Sequence, residues 1–430
     1  MGSNDAREMW RRSGLCRSIG VSDTSLRAEA KWDNLAAMST GIALDQLRLV
    51  GFSGTNKVMA GEFSRLAGRA SLATKLPEPR KQGLGSLVYP FEPHAAALAV
   101  QYHRTSTRVL WDLYESRAVR LEPLYDDLVD LVRRDERGWG MPGYGISVAA
   151  HGVEEFAAGG RQIVGTVKNA LIDGAAQRGM DLHVDADNPD MSFDVRLREG
   201  VLSVSIDLAG RPMSQRGYRQ TGGVAPLNES LAAVLVMLAR HQARAEPLID
   251  PMAGSGTIAI EAVSMGRANP VWIAPRKPAC MGLPSLRSLF IDKPQPLFAD
   301  TQPFAIANEL KEEAFASCQD HASRAGVDHL VHGVRGDFRD LTTAAVYEVC
   351  RDHQMSAATG LILSNPPYGE RLDSPELVTL YRDLGRWCRQ FRGWRAAFLI
   401  ANPDFERAFG GRPRIKKPLS NAQLRSTFLL

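Results

Sequence analysis

The sequence has few cysteines, and their spacing argues against a metal centre. Five cysteines are scattered through the 430 residues, and no two of them form a Cys-x-x-Cys pair. This arrangement is typical neither of a disulfide framework nor of a zinc site. The sequence therefore predicts reduced, mostly buried thiols and no bound metal.

Long apolar runs are also missing. No run of eighteen or more apolar residues occurs, which argues against a membrane-spanning helix. The N-terminal stretch MGSNDAREMWRRSG lacks the apolar centre of a signal peptide. We therefore expect a cytoplasmic protein without membrane contact.

Lysine is scarce relative to arginine. Only ten of the 52 Lys and Arg residues are lysines, and the formal net charge is +4. Arginine is suited to bidentate phosphate contacts and to stacking on bases, which favours a nucleic-acid partner. A GC-rich genome produces the same bias, so both explanations stay open. Hydrophobic residues make up 44% and charged residues 23%, as in ordinary globular proteins, and the length predicts two or three domains.

A short apolar run at residues 361–363 ends in the tetrapeptide Asn365-Pro366-Pro367-Tyr368. Two consecutive prolines cannot donate to a sheet, so the tetrapeptide is predicted to form a stiff turn at the carboxyl end of a buried strand. The Asn365 side-chain oxygen and a backbone carbonyl suit an amino group with two N–H donors, and the Tyr368 ring suits a base. These four residues are the candidate catalytic residues. A simple proline turn is the alternative.

The second motif, LIDPMAGSGTIAIEA, lies about a hundred residues upstream and reads as strand, glycine-containing turn and helix. Glycines let a backbone pass close to a bound ligand, although a lone Gly-x-Gly is weak evidence. No Gly-Lys-Ser or Gly-Lys-Thr follows, which argues against a nucleoside-triphosphate loop. The candidate ligand-binding residues here are Asp250, Pro251, Ala253, Gly254, Ser255, Gly256 and Thr257.

The pair of motifs, DPMAGSGT followed by NPPY, resembles the class I S-adenosylmethionine-dependent methyltransferases that act on exocyclic amines. The resemblance implies S-adenosylmethionine as cofactor, with Asn365 near it. Residues Leu297–Asp300 read as the second strand, so Asp300 is expected to accept the ribose hydroxyls. Related proteins often have Asp-x-Asp at this point, and this chain does not. Asp337 is expected to accept the adenine amino group and Phe338 to pack on the ring, with a helix-capping Asp337 as the alternative.

Alternating strands and helices predict an α/β chain with a Rossmann-like, seven-stranded, mostly parallel sheet in its last two hundred residues. Upstream, a hairpin signal at residues 191–208 and two helical patterns resemble a THUMP domain, an RNA-binding module with a ferredoxin-like α+β fold. LDQLRLVGF is read as a helix that ends at Gly51. The predicted parts are a flexible leader (1–40), a small α+β unit (42–117), a THUMP-like domain (118–210), a linker (211–228) and a methyltransferase domain (222–430).

The linker combines guanidinium groups with an aromatic ring, as contacts to RNA backbone and bases require. An ordinary polar linker is the alternative. The candidate RNA-binding residues are Arg211, Arg216, Tyr218 and Arg219 in the linker, and Arg371, Lys416 and Lys417 beyond it.

From about residue 118 onward, the chain resembles the THUMP-containing guanine-N2 methyltransferases of bacterial large-subunit (23S) ribosomal RNA. The resemblance is carried by IDPMAGSGTIAIEA, APLNESLAA and NPPYGERL. It implies methyl transfer to a guanine N2 amine, with 23S ribosomal RNA as partner. A transfer-RNA guanine-N2 methyltransferase and an adenine-N6 methyltransferase of RNA or DNA stay open as alternatives. A non-catalytic RNA-binding assembly factor is more distant, because Asp250, Gly254, Gly256, Asn365 and Tyr368 are all intact.

Overall fold

The structure is a computed structural model, and it describes most of the chain from residue 41 to the C-terminus. The described residues are 41–71, 76–81, 83–117, 120–138, 140–152, 159–219, 227–273, 277–290, 293–367, 374–421 and 424–430. The predicted leader, residues 1–40, lies outside them. Two sheets, one of eight strands and one of seven, organise the fold.

The first sheet has the strand order β2-β3-β1-β4-β8-β7-β5-β6. Strand β5 runs parallel to β6 and β7, and the other neighbours are antiparallel. Its strands are β1 (Ile42–Val50), β2 (Arg80–Lys81), β3 (Ser86–Pro90), β4 (Arg108–Ser116), β5 (Gly145–His151), β6 (His183–Val184), β7 (Met191–Arg198) and β8 (Val201–Asp207). The helices of this region are α1 (Asn56–Arg69), α2 (Pro93–Tyr102), α3 (Leu121–Arg134) and α4 (Gly159–Ala176).

Alternation along the strands gives the first sheet one apolar face. Leu47, Trp111, Ile206 and Phe193 are lateral neighbours on adjacent strands, and all four are buried in one core cluster. Buried residues of α1 to α4 belong to the same cluster, so the helices cover this face. The predicted hairpin at 191–208 is confirmed as β7 and β8, and β8 also pairs directly with β4.

The second sheet has the order β11-β10-β9-β12-β13-β15-β14. The five strands from β11 to β13 are parallel, while β15 and β14 are antiparallel, so the seven-stranded sheet is mostly parallel, as the sequence predicted. Its strands are β9 (Leu248–Asp250), β10 (Ala305–Glu309), β11 (Val331–Arg335), β12 (Leu361–Ser364), β13 (Arg395–Ile400), β14 (Lys416–Asn421) and β15 (Leu424–Leu429). The helices are α5 (Glu229–Leu238), α6 (Thr257–Arg267), α7 (Glu312–Arg324), α8 (Thr343–Asp352), α9 (Ser374–Cys388) and α10 (Phe405–Phe409).

The central strand β9 lies between β10 and β12, so the direction of strand addition reverses beside it. In open α/β sheets, ligands bind beyond the carboxyl ends of the strands at such a switch point. The loops after β9, β10 and β12 therefore define the part of the molecule in which a ligand site is expected.

Two predictions of secondary structure were wrong. The predicted helix that ends at Gly51 is strand β1. Its residues alternate, with Leu47 and Leu49 buried and Gln46 on the other face, which is the period of a strand. Residues 297–300 form a turn and not the second strand, which is β10 instead.

The segment between α6 and β10 packs against the first sheet and its helices. Val271, Cys280 and Leu283 are buried in the first core cluster. Three side chains also donate hydrogen bonds to backbone carbonyls across the boundary: Trp272 to Val100 (2.8 Å), Tyr102 to Gln295 (2.9 Å) and Tyr144 to Gly282. Tertiary packing, rather than pairing in the second sheet, therefore fixes residues 297–300.

A cluster of buried charged side chains also connects the region of the first sheet with the region of the second. Glu261 on α6 is fully buried and pairs with Arg104 (2.9 Å) and Arg216 (3.4 Å). Arg104 follows α2, and Arg216 belongs to the predicted linker. The Tyr218 hydroxyl donates to the same carboxylate at 3.4 Å. The two arginines hold the pKa of Glu261 below its ordinary value against the opposing effect of burial.

Candidate active site

The second sheet brings most of the predicted ligand-binding residues to one edge. Asp250 ends β9 and is followed by the glycine turn, and Asn365 follows β12 directly. Strands β9 and β12 are hydrogen-bonded neighbours, so the two motifs separated by about a hundred residues meet in space. This meeting is what the paired signal in the sequence predicted.

The turn after β9 depends on its glycines. Gly254 and Gly256 have φ of +54° and +81°, in the left-handed region that favours glycine. A Cβ atom at Gly256 would lie 2.4 Å from the sulfur of Cys318 on α7, whereas a Cβ at Gly254 would meet nothing within 4 Å. Gly256 therefore lets α7 approach closely, and Gly254 leaves open space above the turn.

Asp250 connects the two motifs. It is almost fully buried, and its Oδ1 accepts hydrogen bonds from the Ser364 hydroxyl (2.6 Å) and the Met252 amide (3.1 Å). Burial raises the pKa of Asp250 from 3.8 to about 7, and the charge of Glu309 acts in the same direction. Ser364 is the residue before Asn365, so this bond fixes the proline turn relative to the glycine turn.

Glu309, which sequence reasoning missed, occupies the carboxyl end of β10. Its Oε2 accepts from the Gly254 amide at 2.8 Å, and its Oε1 accepts from the Lys311 amide at 2.9 Å. The next residue, Leu310, is 62% exposed, so an apolar side chain faces solvent beside this carboxylate. The short run AIAN before Glu309 and the helical pattern after it could have identified Glu309 as the acid at the end of the second strand.

The prediction of Asp300 as the ribose acceptor is corrected by this geometry. Asp300 belongs to the turn at residues 297–300, and its side chain is 60% exposed and paired with Arg244 at 3.2 Å. It precedes β10, so it lies on the amino-end side of the strand, away from the glycine turn. The acid at the carboxyl end of the second strand is Glu309.

Asp337 and Phe338 follow β11, but both are already engaged. Asp337 accepts from the Arg339 amide (2.9 Å) and guanidinium (2.7 Å), so it caps the short helical turn at residues 338–340. Phe338 is buried and packs edge-on against Trp387, with ring centroids 5.8 Å apart. The capping alternative is therefore observed, and a role for either residue at an adenine ring stays a prediction.

Asn365 has an unmatched polar atom at this edge, as does Asn308 of β10. The Oδ1 of Asn365 is buried and has no hydrogen-bond partner among the described residues, although buried acceptors are normally paired. The Pro367 carbonyl accepts from the hydroxyl of Tyr381 on α9 at 2.7 Å. Tyr368 and Arg371 lie outside the described residues.

Two of the predicted RNA contacts were wrong, because their side chains are buried. Arg216 and Tyr218 are each 1% exposed and belong to the cluster around Glu261. The guanidinium of Arg216, which the linker pattern assigned to RNA, therefore pairs with Glu261 instead.

The other predicted RNA contacts differ in exposure. Arg219 pairs with Glu229 at 3.2 Å and donates to the Leu227 carbonyl at 2.7 Å, with a 16% exposed side chain. Arg211 is exposed, and Lys416 is exposed but paired with Glu406. Burial and nearby Lys57 lower the pKa of Lys417. Arg211 and Lys416 are thus exposed, whereas Lys417 is half-buried.

Neither a metal centre nor a membrane segment is evident in the described part of the chain. Within it, no three or more His, Cys, Asp and Glu side chains are grouped so as to hold a metal ion. None of the helices found there is both long enough and apolar enough to span a membrane.

Comparison with solved structures identifies the fold. The chain is similar to a possible methylase from Clostridium difficile 630, with a TM-score of 0.70, 24% identity, and coverage of 90% of this chain and 97% of the other. It is also similar to SMU.472, a putative methyltransferase solved with SAH, with a TM-score of 0.72, 21% identity, and coverage of 90% and 98%. The second sheet and its helices thus form a Rossmann-like α/β fold that this chain shares with these structures.

Sequence comparison then gives the family. A model of the UPF0020 family, described as RMKL-like methyltransferase domain, matches residues 216–428, so this part of the chain is similar to that family. Curated relatives named ribosomal RNA large subunit methyltransferase K/L occur in Chromohalobacter salexigens (31% identity, 76% of this chain, 45% of the relative) and Marinomonas sp. (29%, 73% and 44%). The chain thus spans less than half the length of these relatives. The THUMP assignment of residues 118–210 stays a prediction.

Proposed function

We propose that the chain transfers a methyl group from S-adenosylmethionine to the exocyclic N2 amine of a guanine in RNA, with 23S ribosomal RNA as the substrate. The observation that carries the proposal is the buried Oδ1 of Asn365, which has no partner among the described residues and adjoins the glycine turn through Ser364 and Asp250. An unpaired buried acceptor is costly unless a ligand donor satisfies it. An exocyclic amine is such a donor.

The residues after β9 and β10 fit the cofactor. The glycine turn leaves open space above Gly254, the Glu309 carboxylate lies against it, and Leu310 exposes an apolar surface beside that carboxylate. A carboxylate suits the two hydroxyls of a ribose, and an apolar side chain suits the face of an adenine. We propose Glu309 as the ribose acceptor and Leu310 as an adenine contact.

The cofactor, when bound, supplies an electrophilic methyl group. The chain's own contribution is to hold the amine: Asn365 Oδ1 and the Pro366 carbonyl accept its two hydrogens and direct the nitrogen lone pair away from the guanine ring. As positive charge develops on that nitrogen, the two acceptors stabilise the transition state more than the ground state. The methylated nitrogen is acidic and releases its proton to water, so no strong base is required.

The relatives' printed name supports RNA of the large ribosomal subunit as substrate, and the exposed Arg211 and Lys416 offer cationic contacts for its phosphates. Guanine N2 is proposed on the resemblance of NPPYGERL to guanine-N2 enzymes. An adenine N6 amine would satisfy the same acceptors, so the experiment must separate the two bases.

The test is mass spectrometry of nucleosides from separately purified ribosomal and transfer RNA, in cells with and without the gene. Loss of N2-methylguanosine from large-subunit RNA alone is expected, with restoration by the wild-type gene and not by Asn365→Ala. Loss of N6-methyladenosine, or a change confined to transfer RNA, would replace the proposed substrate. No change in any methylated base would favour a non-catalytic RNA-binding protein.

A further inference from the structure

The proline turn after β12 has few means of being held in place. Pro366 and Pro367 have no backbone N–H, so neither residue can donate a hydrogen bond to the rest of the fold. Only carbonyl oxygens and neighbouring side chains remain as anchors. The orientation of the carbonyls in this turn therefore depends on donors that come from elsewhere.

Tyr381 provides such a donor from α9. Its hydroxyl lies 2.7 Å from the Pro367 carbonyl oxygen, and its side chain is buried. Burial raises the pKa of Tyr381 to about 12, so the hydroxyl keeps its proton near neutral pH.

The Tyr381 ring is fixed by other aromatic rings. It packs edge-on against Phe405 of α10, with centroids 4.9 Å apart and planes at 68°. Phe405 in turn packs against Phe398 of β13 at 5.3 Å. The position of the hydroxyl is thus set by the sheet and not by the turn that it binds.

The turn is anchored on its other side as well. Ser364, directly before Asn365, donates to Asp250 at 2.6 Å. Bonds on both flanks therefore hold the segment from Ser364 to Pro367, while the Asn365 Oδ1 between them has no partner in the described structure. The Asn365 side chain is thus held in position while its oxygen can still accept a hydrogen bond from a ligand.

We propose that Tyr381 is a positioning residue for methyl transfer, orienting the acceptors of the proline turn toward the target amine; this rests on the proposed function. The proline ring fixes φ of Pro367, so a hydrogen bond that holds its carbonyl also restricts the peptide plane between Pro366 and Pro367. That plane carries the Pro366 carbonyl. Without the Tyr381 hydroxyl, the Pro366 carbonyl is still present, but it can shift away from the target amine.

The test is Tyr381→Phe in the full chain, with Tyr102→Phe as the matched control. Each substitution deletes one hydroxyl that donates to a backbone carbonyl, Pro367 in one case and Gln295 in the other, and each keeps its ring. Tyr381→Phe is expected to lower kcat roughly 10-fold or more, because a displacement of about 1 Å costs up to 10²-fold. The Kd for S-adenosylhomocysteine, measured by calorimetry, should stay within about twofold of wild type, since hydroxyl loss leaves the glycine turn intact.

A second readout does not depend on turnover. A covalent conjugate of the cofactor's adenosyl group with the N2 of guanosine should bind Tyr381→Phe more weakly than wild type, while Tyr102→Phe binds it normally. Equal kcat in the two variants, or a Tyr381→Phe defect explained by S-adenosylhomocysteine affinity alone, would overturn the positioning role. Wild-type protein that methylates no guanine would overturn the proposed function itself, and the positioning role with it.

Discussion

The carboxylate of Glu309 lies where the first two strands of the methyltransferase sheet end side by side. It holds the Gly254 amide with one oxygen and the Lys311 amide with the other, so its orientation is fixed before any ligand arrives. Both oxygens keep further lone pairs for a ribose. At the residue scale, this acid and the Asn365 oxygen, which has no partner in the described part of the chain, define the two halves of the proposed reaction.

Replacing Glu309 by Gln is expected to weaken S-adenosylmethionine binding by roughly 10- to 100-fold, the usual effect of losing hydrogen bonds to a charged group. Calorimetry with S-adenosylmethionine measures it. Asp300→Asn is the control, because that acid is exposed and paired with Arg244, and it should bind the cofactor like wild type. The reverse pattern would return the ribose role to Asp300.

Asp250 should make stability depend on pH. Its pKa is about 7 in the folded chain and 3.8 ordinarily. Between these values the folded state retains a proton that the unfolded chain releases, so the contribution of Asp250 to stability is greatest below about pH 4 and falls as pH rises toward 7. Asp250→Asn removes this fall.

The measurement is denaturant unfolding of wild type and Asp250→Asn at about pH 5 and about pH 8. The variant should gain stability relative to wild type at the higher pH. Asp300→Asn, at an exposed position, should show the same difference from wild type at both pH values. A pH-independent difference for Asp250→Asn would mean that the carboxyl titrates normally.

At the element scale, the connection between β9 and α6 shows which local features a sequence reveals. The glycine turn and the end of β12 before the prolines were predicted correctly because their chemistry is local: φ above zero needs glycine, and proline ends a strand. The second strand was misplaced because LFAD and AIANE are both short apolar runs that end in an acid. Only packing of residues 297–300 on the first sheet distinguishes them.

The two glycines of the turn should respond differently to alanine. Both have positive φ, so each substitution costs about 1 kcal/mol of strain. Gly256→Ala also drives a methyl group into Cys318, which adds about 1–3 kcal/mol. Denaturant unfolding should thus rank Gly256→Ala below Gly254→Ala in stability. Gly256→Ala with Cys318→Ala should recover part of the loss, and no recovery would exclude the clash as the cause.

At the scale of the whole molecule, the cluster around Glu261 connects the region of the first sheet, the segment that was predicted as a linker, and the region of the second sheet. Sequence reasoning could not find it, because Arg104, Arg216 and Glu261 are far apart in the chain and each is typical of a surface. The same pairing explains why an arginine-rich linker was mistaken for an RNA contact. A charged side chain is buried when an oppositely charged side chain lies beside it, and it is the tertiary fold that brings the two together.

Glu261→Gln should lower the free energy of unfolding by about 3 kcal/mol or more, since it leaves buried guanidinium groups without a counter-charge. Glu312→Gln is the control: that side chain is 73% exposed and pairs with Arg335 on the surface, so its loss should cost less than about 1 kcal/mol. Denaturant unfolding measures both. Similar losses in the two variants would show that the buried cluster does not connect the regions energetically.

The pairing of β4 with β8 limits how this protein can be divided or recombined. A cut near residue 117 would separate two hydrogen-bonded strands and leave an unpaired edge on each fragment, which invites aggregation. Swapping the N-terminal region between relatives should succeed only when residues 42–207 move as one piece. In evolution, the smallest transferable module would then be the complete eight-stranded sheet rather than either of the halves that the sequence pattern suggests.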